Sequence, residues 1–214
     1  MKKILLFACL AATALSVARA DDIALFTVKI GGDKTPRQFA IEFYDADAPL
    51  TVANFKKLTH KSFYNGTAIH RVFPDILIQM GDPLSRSKDR AAVGTGGPGY
   101  TLLPEIHRKH TVGAVAAGRL PDKINPSRLS NGSQFVVCLK PMPSYDGQYT
   151  VFGNVFQGLD VLKEISEMPV DSNDNPLKRV QVTSAKIIPR EKIPAPPVPG
   201  APAANAKKPW WKIF

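Results

Sequence analysis

Ala68-Ile69-His70-Arg71-Val72-Phe73-Pro74-Asp75-Ile76-Leu77-Ile78-Gln79-Met80-Gly81-Asp82-Pro83 reads as two short strands joined by a turn at Pro74-Asp75. Side chains alternate between the faces of a strand, so Arg71 and Phe73 share one face while His70 and Val72 share the other. On the second strand Leu77 and Gln79 fall together. A lone arginine on a strand is ordinarily a solvated side chain. Here an arginine and a glutamine interrupt two otherwise apolar strands, which marks the pair as candidates for chemistry.

Working outward, Ile23 to Ile30 and Gln38 to Tyr44 are β-rich runs separated by the turn Gly31-Gly32-Asp33-Lys34, a hairpin pattern. Pro49 to His60 has helical spacing, with Val52, Phe55 and Leu58 on one face and Pro49 at the start. Further strands are predicted near Val112 to Ala117, Gln134 to Leu139 and Thr150 to Val155, the last preceded by the turn Asp146-Gly147. Leu159 to Glu167 reads as a second short helix and Arg179 to Ile188 as a final strand. Many strands linked by short turns, with two helices far apart in sequence, predict a mainly β fold: a closed antiparallel barrel with helices over its ends.

The two ends of the 214-residue chain have a different character. Lys2 and Lys3 precede the apolar stretch Ile4 to Val17, and Ala18-Arg19-Ala20 offers small residues before Asp21. Residues 1–20 are therefore expected to be a cleavable signal peptide, and the mature protein to be exported, to a periplasm or fully secreted. Cys9 comes too early in the leader to act as a lipoprotein cysteine. Without the leader only Cys138 is left, so no internal disulfide forms; its apolar run Phe135 to Leu139 reads as a buried strand thiol. The domain is expected to span 21–189, followed by a Pro/Ala-rich linker at 190–206 and a basic aromatic tail, Lys207-Lys208-Pro209-Trp210-Trp211-Lys212-Ile213-Phe214. That tail suits weak contact with a membrane surface or an acidic partner; a solvated tail is the plain alternative.

The formal charge is +10, with Lys2, Lys3 and Arg19 in the leader and Arg190, Lys192, Lys207, Lys208 and Lys212 beyond the domain. The body is only mildly basic, which argues against a nucleic-acid partner. Gly94-Thr95-Gly96-Gly97-Pro98-Gly99 matches a dinucleotide fingerprint by letter, but Pro98 and Tyr100 sit where a helix would have to open. It reads as a turn-rich loop. His107 and His110 lack acidic or cysteine companions, so no metal site is expected. Asn65-Gly66-Thr67 and Asn131-Gly132-Ser133 fit the glycosylation sequon, though Asn-Gly pairs are also turn formers.

His70-Arg71-Val72-Phe73-Pro74 followed by Ile78-Gln79-Met80-Gly81-Asp82 resembles the cyclophilin signature. Gly132-Ser133-Gln134-Phe135, Asp146-Gly147 and Val151-Phe152-Gly153 follow in the family's order, Ala48 to Phe55 resembles its first helix, and Gly94 to Tyr100 its glycine-rich loop. The resemblance runs from about Ile23 to Ile188 and implies an eight-stranded antiparallel barrel capped by two helices, with an active groove on its outer surface. It also implies peptidyl-prolyl cis/trans isomerisation without cofactor or metal, acting as a monomer on proline-containing polypeptides. In that family the arginine matching Arg71 stabilises the twisted amide, and Gln79 matches a residue that binds substrate backbone or orients the arginine.

The resemblance further places Ile76, Leu77, Gln134, Phe135, Val136, Tyr145, Tyr149, Gly118 and Arg119 in the substrate groove. Several of these depart from the family pattern. The proline pocket, aromatic in well-studied members, becomes Ile76, Leu77, Val136 and Tyr145; the groove tryptophan falls near Ser144 and the groove histidine at Tyr149. An Ala-Asn pair that binds substrate backbone becomes Gly118-Arg119, and the loop Arg119 to Ser130 is longer than in short members. The expected function is folding assistance to exported proteins. The alternative is a proline-peptide-binding module or chaperone with weak or no turnover, and an envelope-tethering role for the tail is compatible with either.

Overall fold

The computed structural model describes residues 22–193 with the exception of Lys88. The expected leader, residues 194–206 of the expected linker and the 207–214 tail lie outside the described residues. Among the described residues, eleven strands and two α-helices follow one another as β1 (Asp22–Ile30), β2 (Arg37–Phe43), α1 (Pro49–His60), β3 (Ala68–Ile69), β4 (Arg71–Phe73), β5 (Leu77–Met80), β6 (Thr101–Leu102), β7 (Ala114–Ala117), β8 (Ser130–Asn131), β9 (Phe135–Cys138), β10 (Val151–Gln157), α2 (Leu159–Ser166) and β11 (Val180–Pro189). The architecture is mainly β with two helices, as the pattern predicts. Among the described residues, no helix is long and apolar enough to cross a membrane.

The large sheet runs β3-β11-β1-β2-β10-β7-β9-β5-β4, and β6 pairs with β8 in a separate ribbon. Every pairing is antiparallel. β3 and β4 stand at opposite ends of the order, yet only His70 separates them in the chain. The sequence pattern predicts one strand here. It splits because its halves pair with different neighbours, β3 with β11 and β4 with β5. The His70 N–H donates to the Gln79 carbonyl at 3.1 Å, while the Val72 N–H turns to the Asp174 carbonyl at 3.0 Å.

The inner face of the sheet carries an aromatic core. Phe26 stacks on Phe39 with ring centroids 5.0 Å apart, and Phe55, Tyr64, Phe135 and Phe152 close around them. Their offset and edge contacts are the arrangements that aromatic rings favour. α1 presses Val52, Phe55 and Leu58 into this core, which are the positions its 3.6-residue period selects. Ala48 gives α1 no side-chain cap. Glu105 supplies one from elsewhere in the chain: its carboxylate accepts from Leu50 N (2.9 Å), Thr51 N (2.8 Å) and Thr51 Oγ1 (2.7 Å). A carboxylate there satisfies free N–H groups and faces the positive end of the helix dipole.

Gly81 governs how β5 leaves the sheet. Its φ is +92°, and a Cβ there would stand 2.2 Å from the Ser133 carbonyl oxygen. Only glycine permits this approach, which brings the end of β5 against residues 133–134. At the other end of the domain the first residues after β11 pack back on it. Arg190–Lys192 forms one 3-10 turn after β11, with Arg190 Nη1 2.7 Å from Glu42 Oε2 and its guanidinium 4.3 Å from the Phe156 ring centroid.

Candidate active site

Cross-strand register sets out the site. Arg71 on β4 stands opposite Gln79 on β5, Gln79 opposite Val136 on β9, and Val136 opposite Ala116 on β7. A second row runs Phe73, Leu77, Cys138. Alternation puts both rows on the face away from the aromatic core. Leu77, Ala114, Ala116, Cys138, Met142 and Val151 form a second apolar cluster there, with Phe73, Ile76, Val136, Tyr145 and Tyr149 half-buried against it. This is an apolar floor beside a polar pair. Cys138 lies wholly buried in the floor, and burial pushes its thiol up to about 11, so it is inert there.

Arg71 is exposed on the rim. Its Nε and Nη2 both donate to Asp174 Oδ2 at 3.3 Å, and its guanidinium carbon lies 4.7 Å from the Phe73 ring centroid. Gln79 does not hold it. Gln79 Nε2 instead donates to Gln134 Oε1 at 2.8 Å, and Gln134 Nε2 donates to the carbonyls of Gly94 (2.9 Å) and Gly96 (2.8 Å). The loop offering those carbonyls is gathered by the fully buried Asp82, whose Oδ2 accepts from Gly94 N and Gly96 N and whose Oδ1 accepts from Leu84 N at 2.7 Å. A Cβ on Gly96 would stand 2.2 Å from Asp82 Oδ1, so any side chain there would displace the buried carboxylate. The glycine-rich loop thus wraps a buried carboxylate and positions two glutamines.

The far wall is pinned by His110. Its backbone N–H donates to Asp146 Oδ1 at 2.7 Å, and its Nδ1 lies 3.0 Å from the same oxygen. Those two bonds, the backbone N–H first, hold the Asp146 carboxyl below its usual range. The His110 ring meets Tyr145 and Tyr149 edge-on, fixing the two tyrosines that bound the pocket. Two clefts of about 490 Å³ adjoin at Gln79, Gly94 and Thr95: one lies between Arg71, Arg90 and Asp174, the other runs under Arg119, Leu120 and Ile124.

Ile76, Leu77, Val136, Tyr145 and Tyr149 thus gather beside Arg71 and Gln79. Three more of the expected groove residues are placed as follows. Phe135 is a core residue, 1% exposed, with its ring against Phe26, Phe55, Tyr64 and Phe152; it faces away from the groove because Val136 faces toward it. Gly118 lines the second cleft, but its N–H already donates to Gln134 O (2.9 Å) and its carbonyl accepts from Asn131 N (2.7 Å). Arg119 turns its guanidinium inward, 4.5 Å from the Tyr149 ring centroid, donating to Gln148 O and Leu120 O at 2.9 Å and pairing with Asp122. Asn131, read as a turn former in a sequon, ties the site together: Nδ2 donates to Gly96 O, and Oδ1 accepts from Ser133 N and Gln134 N, each at 3.0 Å. Asp174 carried no local signal, and Asp82 and Asp146 only that of a motif and a turn, since Arg71, the Gly94–Gly96 loop and His110, to which they bond, are distant in sequence.

Comparison with known proteins agrees with this geometry. Residues 26–187 match the family model described as cyclophilin type peptidyl-prolyl cis-trans isomerase/CLD. A peptidyl-prolyl cis-trans isomerase-like 1 of Neurospora crassa is 32% identical over 76% of this chain and 96% of its own length. A peptidyl-prolyl cis-trans isomerase of Schizosaccharomyces pombe is 36% identical over 68% of this chain and 89% of its own. The crystal structure of a cyclophilin type isomerase from Cryptosporidium parvum superposes with a TM-score of 0.66 at 22% identity, covering 78% of this chain and 98% of that one. The same isomerase in the presence of the dipeptide Ala-Pro gives a TM-score of 0.62 at 23% identity, over 76% and 98%. With the domain matched almost from end to end and an arginine and a glutamine set beside an apolar floor, the chain belongs to the cyclophilin-type peptidyl-prolyl cis-trans isomerases.

Proposed function

We propose that the outer groove isomerises X-Pro bonds, with Arg71 stabilising the twisted amide. Amide resonance sets a barrier of about 20 kcal/mol, which falls when the prolyl nitrogen withdraws its lone pair from the carbonyl. The nitrogen then becomes an acceptor, and a guanidinium donor aimed at it favours the twisted state over either planar one. The observation that carries this reading is the register: Arg71 stands beside Gln79 at the edge of an apolar floor that can seat a pyrrolidine ring. Gln79 has its amide nitrogen held by Gln134, which leaves its carbonyl oxygen to accept from a peptide N–H.

The fold reading that goes with this is an eight-stranded barrel closed through His70. It is supported by β3 and β4 standing at the two ends of the sheet order while being consecutive in the chain. The substrates we propose are proline-containing segments of exported proteins, in a periplasm or outside the cell, a proposal that rests on the leader pattern of residues 1–20. The proline-binding module with little turnover is favoured by one feature, the aliphatic Ile76, Leu77 and Val136 in place of aromatic rings. An exchange measurement on a prolyl peptide with wild type and Arg71→Ala separates the two readings. Loss of about a hundredfold in the variant is expected for removal of one transition-state donor; equal rates in the two proteins would remove Arg71 from the mechanism.

A further inference from the structure

Asp174 sits in the connection between α2 and β11, more than a hundred residues along the chain from Arg71. It has φ +61°, in the left-handed region where a non-glycine residue is held only by its surroundings. Those surroundings are explicit. Its carbonyl accepts the Val72 N–H at 3.0 Å, and its own N–H donates to Asp171 O at 3.1 Å. Asp171 ties the loop from behind: Oδ1 accepts from Asn173 N (2.9 Å), Asn175 N (3.0 Å) and Asn175 Nδ2 (3.2 Å), and Oδ2 accepts from Arg90 Nη1 (3.2 Å). Arg90 Nη1 also reaches the Pro176 carbonyl at 3.0 Å. The loop is built to deliver one carboxylate to one place.

At that place Asp174 Oδ2 accepts from both Nε and Nη2 of Arg71. Two donors on one oxygen fix the plane of a guanidinium, and the Phe73 ring supports one of its faces. A half-exposed ion pair of this kind adds little to stability. Its effect is on orientation, because an arginine on an open strand otherwise samples many rotamers, and a pre-set donor forgoes that ordering when the amide twists. Among the described residues Nη1 has no partner, which leaves it for the substrate.

We propose that Asp174 is the positioning residue of the site, holding the Arg71 guanidinium in its working orientation before the peptide arrives. This rests on the reading of Arg71 given above, and the test keeps the two apart. The full chain is assayed by exchange spectroscopy on a prolyl peptide as wild type, Arg71→Ala, Asp174→Asn, Asp174→Gly and the double variant Arg71→Ala/Asp174→Asn. Asparagine and glycine both tolerate a positive φ, so the loop keeps its backbone while the charge is lost. Expected is a three- to tenfold fall in kcat for both Asp174 variants, with KM within twofold and an unchanged melting temperature. The double variant should be no slower than Arg71→Ala alone, and the Arg71 Nε–Hε resonance, sharp in wild type, should broaden in Asp174→Asn. Wild-type kcat in Asp174→Asn beside a crippled Arg71→Ala overturns the positioning role alone. Full activity in Arg71→Ala overturns both readings.

Discussion

Gln79 and Gln134 are joined amide to amide, Nε2 of the first donating to Oε1 of the second at 2.8 Å, and the whole amide of Gln134 is occupied by this bond and two loop carbonyls. Gln134 is 4% exposed, whereas Gln79 and Gly96 are half-buried and Gly94 is exposed, so water replaces only part of what a substitution removes. Gln134→Leu keeps the volume but leaves Gln79 Nε2 and the Gly94 and Gly96 carbonyls without partners. An unsatisfied buried group costs about 1–3 kcal/mol, and these half-buried and exposed groups cost less because water reaches them. The expected outcome is destabilisation of about 1–2 kcal/mol by urea unfolding, together with a raised KM as Gln79 loses its orientation. A variant with wild-type stability and KM would show that the glutamine pair does not organise the site.

His70, which lines the cleft of Arg71 and Asp174 at the break between β3 and β4, predicts a pH dependence of stability. It is 5% exposed, neither ring nitrogen has a hydrogen-bond partner among the described residues, and burial pushes it down to about 4. Its folded value is depressed, so its stabilising contribution is complete above the unfolded value near 6.5 and is lost as pH falls toward 4. A shift of that size corresponds to about 3 kcal/mol. Urea midpoints measured from pH 7 to pH 4 should fall accordingly, and His70→Gln should flatten the curve across that interval. An unchanged slope in the variant would assign the acid lability to another group.

Arg119 offers a third test. Its side chain is 3% exposed, lying over Tyr149 and bonded to the Gln148 carbonyl, while Arg128 ties Asp122 of the same loop to the Gly147 carbonyl. The loop that begins at Arg119 is thereby fastened to the segment carrying Tyr145 and Tyr149. Arg119→Ala removes a desolvated cation–π contact and a buried donor, an expected loss of about 1–2 kcal/mol. KM should rise because Tyr149 loses its cover, whereas kcat should change little because Arg71 and Gln79 lie on other strands. A drop confined to kcat would contradict this division.

Much of this was legible because it follows from local period. The alternation in β1 and β2, the Val52, Phe55 and Leu58 stripe of α1 and the pairing of Arg71 with Gln79 all come from neighbours one or two turns away. Phe135 was legible too: it must oppose Val136, and the motif match hid a face assignment that alternation alone makes. The break at His70 was not, since it depends on β3 and β4 choosing partners from distant parts of the chain. Nor were β6 and β8, whose two residues each carry no period. Asp174 and Asp146 acquire meaning only when the chain folds back on Arg71 and His110.

The aliphatic floor leads to the last prediction. Val136 is half-buried on the outer face, packed on the cluster that holds Leu77 and Cys138, with Tyr145 and Tyr149 along the wall. A proline ring bound there meets methyl groups where an aromatic face would add about 0.5–1.5 kcal/mol per contact. Val136→Phe extends toward open groove instead of the filled aromatic core, so overpacking is avoided. It should lower KM for a prolyl peptide by about two- to tenfold, the range those energies correspond to. Because ring binding favours ground and twisted states alike, kcat should stay near wild type. Raised kcat with unchanged KM would mean that the new ring touches the reacting amide, and that the proline seat lies nearer Arg71 than Val136.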